Sequence, residues 1–378
     1  MRADNGAYLR TLSAVELARA IREGRTTSRL AVDAYIHAIE RVNGTLNAVV
    51  EDRFVVARLE ADAADAALAN GQPLGPLHGV PCTIKECFGL EGMPQTSGLV
   101  SRIGTRAAED AVAVKRLRDA GAIPLGVTNV SELCMWMETH NRVYGRTNNP
   151  YDPRRIVGGS SGGEGAIIGA GASPFGLGSD VGGSVRMPAF FNGVFGHKPS
   201  GGLVPNTGQF PIAQTPQSLR YLTTGPLARS AGDLHTLLQV LAGDDPSEPH
   251  LGDPDQVDVA GLRVLDVRSD GVTPVSRDLQ QAQARAAAHL HKRGADVVEV
   301  MIPGLRDGLE IWSAMLGAEN PVAYSRMLAE GDCEVRASAP LRWAVGRSPP
   351  TLPSLGLVVA ESGPHPFAGT ADQKIRPG

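Results

Sequence analysis

Residues 158–165 read GGSSGGEG, and residues 178–186 read GSDVGGSVR. Fifteen of the 45 glycines in this 378-residue chain fall between Gly158 and Gly202. Glycine at such density marks backbone that turns tightly or lets other groups approach closely. A phosphate loop would need a lysine directly after the glycines, and a dinucleotide fingerprint would need G-x-G-x-x-G after a strand. Neither pattern is present. Gly158–Gly162 formally satisfies the G-x-S-x-G nucleophile elbow, but an elbow leaves the second serine cluster unexplained.

Outward from this core, strand and helix alternate. Residues 78–85, HGVPCTIK, read as a short extended run after turn residues, Asp110–Ala120 as a helix, and Ala122–Val127 as a buried strand. A helix is expected from about Gly163 to Ala172. This alternation implies a parallel or mixed sheet with helices on its faces. Before it lies a helical lead-in over residues 1–75. Ser13 and Glu16 have capping-box spacing, and Phe54–Ala69 is an alanine-rich helix ended by Asn70-Gly71. Residues 76–243 form the core. The proline-rich stretch 244–258 reads as a linker-like loop. Residues 259–378 read as a C-terminal part of the same domain, opening with a strand (Leu262–Val267), a helix (Asp278–Arg293) and a strand (Asp296–Val300), a βαβ unit.

Composition narrows the function. Hydrophobic residues at 42% and charged residues at 20% suit a globular chain. A net charge of −4 and the lack of a basic block speak against a nucleic-acid footprint. No apolar run is long enough for a membrane span, and the N-terminus lacks the apolar segment of a signal peptide. A cytoplasmic location is expected, with Cys82, Cys87, Cys134 and Cys333 as reduced thiols, since no C-x-x-C pair occurs. Only five of the 36 basic residues are lysines, Lys85 among them.

Lys85 in GVPCTIKE, Ser160 in GGSSGG and Ser184 in GSDVGGSVR together closely resemble the signature of the amidase signature family of serine hydrolases. LSAVELARAIREG, LNAVVE, GRTNNPYDP, GHKPSGGLVP and TTGPLARSAGDL agree with it. KECFGLEGMPQTSG and GGSSGGEGAIIG are most similar to the text of fatty acid amide hydrolases. Amidotransferase A-type subunits usually read K-D and GGSSGGSA there. The resemblance implies an α/β fold of the amidase-signature type, a central mixed β-sheet surrounded by α-helices. It implies hydrolysis of a carboxylic amide through an acyl-enzyme, a small-molecule amide substrate, and neither a metal nor an organic cofactor. An amidotransferase subunit and a truncated, non-catalytic binding or scaffold relative are the alternatives.

By the same resemblance Ser184 is the nucleophile, Ser160 a bridging serine and Lys85 the base. A lysine can act so only when neutral, which burial favours, and arginine cannot replace it. Val181, Gly182, Gly183 and Ser184 would offer backbone amides as an oxyanion hole, worth roughly 3–4 kcal/mol of barrier per important donor. Ser161 is expected to support Ser160 and Lys85, Asp180 and Arg186 to pair structurally, and the Gly159–Ser160 bond to be cis. Cys82 reads as packing. The run Met135–Met137 is either core or acyl pocket. Family members are generally longer than this chain. The resemblance therefore leads one to expect an uncovered sheet edge, with marginal stability, weak activity or self-association, a homodimer included.

Overall fold

Helix formation begins at Arg2–Leu9 (α1) and resumes at Ala14–Arg22 (α2). There Ser13 Oγ accepts from the Glu16 amide at 3.2 Å while Glu16 Oε2 accepts from the Ser13 amide at 2.8 Å. The next two amides, of Ala14 and Val15, donate to the Asp233 carboxylate at 2.9 and 3.0 Å. A distant acidic side chain thus finishes the cap that local sequence starts. Thr27 caps α3 (Ser28–Leu46), which ends at Asn47 in the left-handed conformation. Strand β1 (Val49–Asp52) follows and then α4 (Phe54–Ala69). The lead-in therefore contributes a strand as well as helices.

The computed structural model describes residues 2–212, 215, 218–243, 251–319, 324–328 and 350–362. The chain forms two compact units, Met1–Pro249 with Asn320–Gly363, and His250–Glu319 with Pro364–Gly378.

In the first unit, β2 (Pro81–Lys85) and β3 (Ile123–Thr128) flank α5 (Val112–Asp119) in sequence, and a short hairpin pairs β4 (His140–Asn141) with β5 (Gly145–Arg146). Helix α6 (Gly162–Gly169), β6 (Phe175–Asp180), α7 (Arg186–Phe191), β7 (Phe195–Gly196), β8 (Thr223–Ala228) and α8 (Asp233–Ala242) complete the core. The six-stranded sheet runs β1-β3-β2-β6-β8-β7. Strands β3, β2 and β6 are mutually parallel, while β1, β8 and β7 join antiparallel. The sheet is mixed and wrapped by helices. Every residue of β2, β3, β6 and β8 is buried, which is why these strands read as continuous runs rather than alternating ones. Polar residues at their ends need partners, because an unpaired buried polar group costs ~1–3 kcal/mol.

The second unit holds β9 (Arg263–Asp266) and β10 (Asp296–Glu299), paired in parallel, with α9 (Arg277–Lys292) as crossover and α10 (Gly308–Glu319) after them. The apolar run Leu355–Val359 lies in a helix, Leu352–Ser362, whose Leu355 and Val358 are buried at i, i+3 spacing. This helix belongs to the first unit, within which Val358 packs with Leu99, Leu133, Tyr324 and Leu328. Cys333, Trp343 and the tail from residue 363 lie outside the described residues.

Candidate active site

The parallel strands β3, β2 and β6 end side by side, and in open α/β sheets ligands gather outside the carboxyl ends of such strands. Lys85 closes β2, opposite Thr128 at the end of β3, and Ser179-Asp180 closes β6. Lys85 is wholly buried. Its Nζ donates to Ser160 Oγ at 2.7 Å and to Ser179 Oγ at 3.0 Å.

Ser160 lies in the glycine turn that leads into α6, and the Gly159–Ser160 peptide bond is cis. The Ser160 carbonyl accepts from the Ser131 amide at 3.3 Å. Gly163, one turn on, tolerates no side chain, since a Cβ there would meet the Asn129 amide nitrogen at 2.5 Å. The Ser161 amide donates to the Ser184 carbonyl at 3.2 Å, which ties the two serine loops together. The Ser161 hydroxyl donates to the Ser179 carbonyl at 3.4 Å. The second hydroxyl on Lys85 is thus that of Ser179, and the expected support from Ser161 runs through its backbone and through Ser179. Ser179 carried a signal that went unused: a lone hydroxyl in the run FGLGSD, directly before Asp180.

Asp180 organises the loop that carries Ser184. It accepts from the amides of Gly183 (2.9 Å), Val185 (3.0 Å) and Arg186 (3.3 Å) and pairs with the Arg186 guanidinium at 2.9 Å. Burial pushes its carboxyl up, yet Arg186 and the amides outweigh this and hold it below the usual carboxylate range. Lys198 holds the loop from the other side, donating to the carbonyls of Asp180 (3.1 Å) and Tyr221 (2.8 Å) and to Thr223 Oγ1 (3.1 Å). Gly183 sits at φ +123, and its amide is turned back onto Asp180. Of the four amides in the Val181–Ser184 stretch, those of Val181, Gly182 and Ser184 have no hydrogen-bond partner among the described residues. Ser184 itself is half-buried.

Two buried carboxyls near Lys85 were not singled out in the sequence. Glu86 accepts from the Thr96 and Ser97 amides at 2.6 and 2.8 Å and from Tyr144 Oη at 2.6 Å, so it shapes the turn after Lys85. Glu164, on α6, accepts from Thr83 Oγ1 at 2.6 Å and from Thr128 Oγ1 at 2.8 Å. Burial pushes Glu164 up to about 8, against the pull of both threonines and Lys85. A carboxyl raised in the fold binds its proton more tightly there than in the unfolded chain, whose value is ~4.3. Its contribution therefore makes stability fall as pH rises from ~4.3 to ~8. Glu164→Gln is expected to flatten this decline, measured as the thermal midpoint between pH ~5 and ~8. A variant that follows the wild-type pH curve would contradict the assignment.

An open cleft of about 630 Å³ is lined by Glu60, Asp110, Lys115 and Arg118 among others, and neither Lys85 nor any of the serines borders it. The Lys85–Ser160 contact lies instead at the strand ends. No helix among the described residues is long and apolar enough to cross a membrane.

Comparison with known proteins gives the family. The family profile described as Amidase matches residues 31–356. Fatty-acid amide hydrolase 2-B of Danio rerio is 47% identical over 371 residues, covering 94% of this chain and 70% of that protein. Fatty-acid amide hydrolase 2 of Homo sapiens is 44% identical, covering 93% and 69%. Among solved structures, the native peptide amidase from Stenotrophomonas maltophilia superposes with a TM-score of 0.76 at 27% identity, covering 96% of this chain and 78% of that one. With the mixed sheet, the two serine loops and Lys85 in place, the chain belongs to the amidase family of amide-hydrolysing enzymes.

Proposed function

We propose that this chain hydrolyses a carboxylic amide through an acyl-enzyme on Ser184, with Ser160 and Lys85 moving the proton. The observation that carries this reading is the buried 2.7 Å contact between Lys85 Nζ and Ser160 Oγ, beside a loop that presents Ser184. Ser184 Oγ attacks the carbonyl carbon and passes its proton to Ser160, whose own proton goes to Lys85. The oxyanion forms against the amides of Val181, Gly182 and Ser184, which the fold leaves unpaired. Collapse breaks the C–N bond as the proton returns through Ser160 to the leaving amine. Water then repeats the sequence on the ester and releases the acid. Ser–Lys pairs are a recognised variant of triad logic.

For the substrate, the relatives' activity on fatty-acid amides supports a long apolar acyl group. Leu99, Leu133 and Val358, with Met135 and Phe210 packed against them, form an apolar cluster whose Leu133 lies two residues from Ser131, whose amide holds the Ser160 carbonyl. Met135 belongs to this cluster and Met137 is exposed. If each added methylene is buried at ~0.8 kcal/mol, kcat/KM should rise roughly fourfold per CH2 along a series of acyl amides. A flat series would refute the fatty-acyl preference while leaving amide hydrolysis intact.

A fluorophosphonate probe tests the nucleophile. The adduct is expected on Ser184 after digestion and peptide mapping. A label on Ser160, Ser161 or Cys82 with Ser184 unmodified would sink the assignment.

A further inference from the structure

The segment from Ser131 to Thr139 cradles the glycine turn that carries Ser160. The Ser131 amide donates to the Ser160 carbonyl at 3.3 Å. A Cβ on Gly159 would collide with the Trp136 carbonyl oxygen, so the two backbones lie against each other. Thr139 Oγ1 donates to the Gly158 carbonyl at 3.0 Å and accepts from the Gly162 amide at 2.9 Å. Inside this cradle Leu133 (φ 54) and Cys134 (φ 58) are both left-handed. Residues with a Cβ rarely adopt that conformation, and it persists only where the surroundings over-determine it.

Three anchors hold the strained turn. The Leu133 amide donates to the Ser97 carbonyl at 2.8 Å. The Leu133 side chain is wholly buried with Leu99, Tyr324, Leu328 and Val358. The third anchor is the buried Glu132. Its Oε2 accepts from the Thr351 amide at 2.9 Å and from Thr351 Oγ1 at 2.8 Å. Thr351 directly precedes the helix Leu352–Ser362 and belongs with Glu132 to the first unit. Thr351 Oγ1 also lies 3.1 Å from Ser354 Oγ, which accepts from Tyr324 Oη at 3.1 Å. A chain of three hydroxyls thus ends on the Glu132 carboxyl.

We propose that Glu132 is a positioning residue for Ser160, acting through the turn it sits in. A buried carboxyl needs hydrogen bonds, and Thr351 supplies two from 219 residues away. Glu132 stands between Ser131, which holds the Ser160 carbonyl, and Leu133, where the strain begins. Fixing its side chain therefore fixes the direction of the Ser131 amide. Without the clasp the turn can relax out of the left-handed region and draw that amide away. Ser160 Oγ then drifts from Lys85 Nζ, now 2.7 Å away. The effect on hydrolysis rests on the proton path proposed above, whereas the effect on the turn does not.

The test compares three variants of the intact chain on a short-chain acyl amide, alongside hydrogen exchange read by peptide. Glu132→Ala is expected to lower kcat about 100-fold, the scale of a 1 Å misplacement, with KM little changed. Peptides covering 129–135 should exchange faster than in wild type. Glu132→Gln keeps an oxygen for both Thr351 donors and should restore kcat to within about threefold of wild type. Thr351→Val keeps the amide bond but loses the hydroxyl, and kcat should fall about tenfold. If the Ala variant does not fold, the Gln and Val variants decide. Wild-type kcat in Ala or in Val, or a Gln variant as slow as Ala, overturns the proposal. So does faster exchange confined to 352–362 with 129–135 still protected, which would make Glu132 an anchor for the helix alone. Faster exchange at 129–135 in a protein whose wild type hydrolyses no amide would uphold the positioning and refute the hydrolase reading.

Discussion

Ser184→Ala is expected to leave a folded protein whose amide hydrolysis falls on the order of 10⁶-fold in kcat. The substitution removes one oxygen from a half-buried side chain. It leaves the backbone anchors of the loop untouched: Asp180 still receives its amides, and the Ser184 carbonyl still accepts from Ser161. Binding and the unpaired amides should sustain a residual rate roughly 10³–10⁴-fold above the uncatalysed reaction. The measurement pairs kcat on an acyl amide with the thermal midpoint. A variant within tenfold of wild type would show that another residue carries the acyl group.

Lys85→Arg is expected to be nearly as damaging, by ~10³-fold or more. Guanidinium does not give up its proton, so it cannot take one from Ser160. The site is also fully closed around the Lys85 side chain, and a bulkier head must displace Ser160 or Ser179. Lys85→Met separates the two causes, because it keeps the stem and removes the amine. It leaves the Ser160 and Ser179 hydroxyls short of a partner, at ~1–3 kcal/mol of stability. Loss of rate in Met with only a modest fall in thermal midpoint supports the proton-carrying role. Near-normal hydrolysis by the Arg variant would end it.

The residues most legible in the chain were those whose partners sit at fixed short spacing. The Ser13–Glu16 cap spans three residues, and the loop that carries Ser184 is organised by Asp180 through amides three to six residues on. Lys85, Ser160 and Ser184 stood out because each lies in a dense local motif. Ser179, Glu164 and Glu132 did not. Their contacts bridge segments far apart in sequence: Lys85 to Ser179 spans 94 residues, and Thr83 to Glu164 spans 81.

Sequence by itself determined the alternation of strand and helix, the glycine turns and the residue types able to do amide chemistry. These follow from local backbone preference and from side-chain chemistry, which need no neighbour beyond the next turn. Only the tertiary structure decided which groups face Lys85. The strand order β3-β2-β6 sets Thr128 and Ser179 on either side of it, and α6 lays Glu164 beneath the same strands. It also decided that the Gly183 amide serves Asp180, while the amides of Val181, Gly182 and Ser184 have no partner among the described residues. Hydrogen bonds across strands depend on sheet register, and register is settled by the burial of whole faces at once.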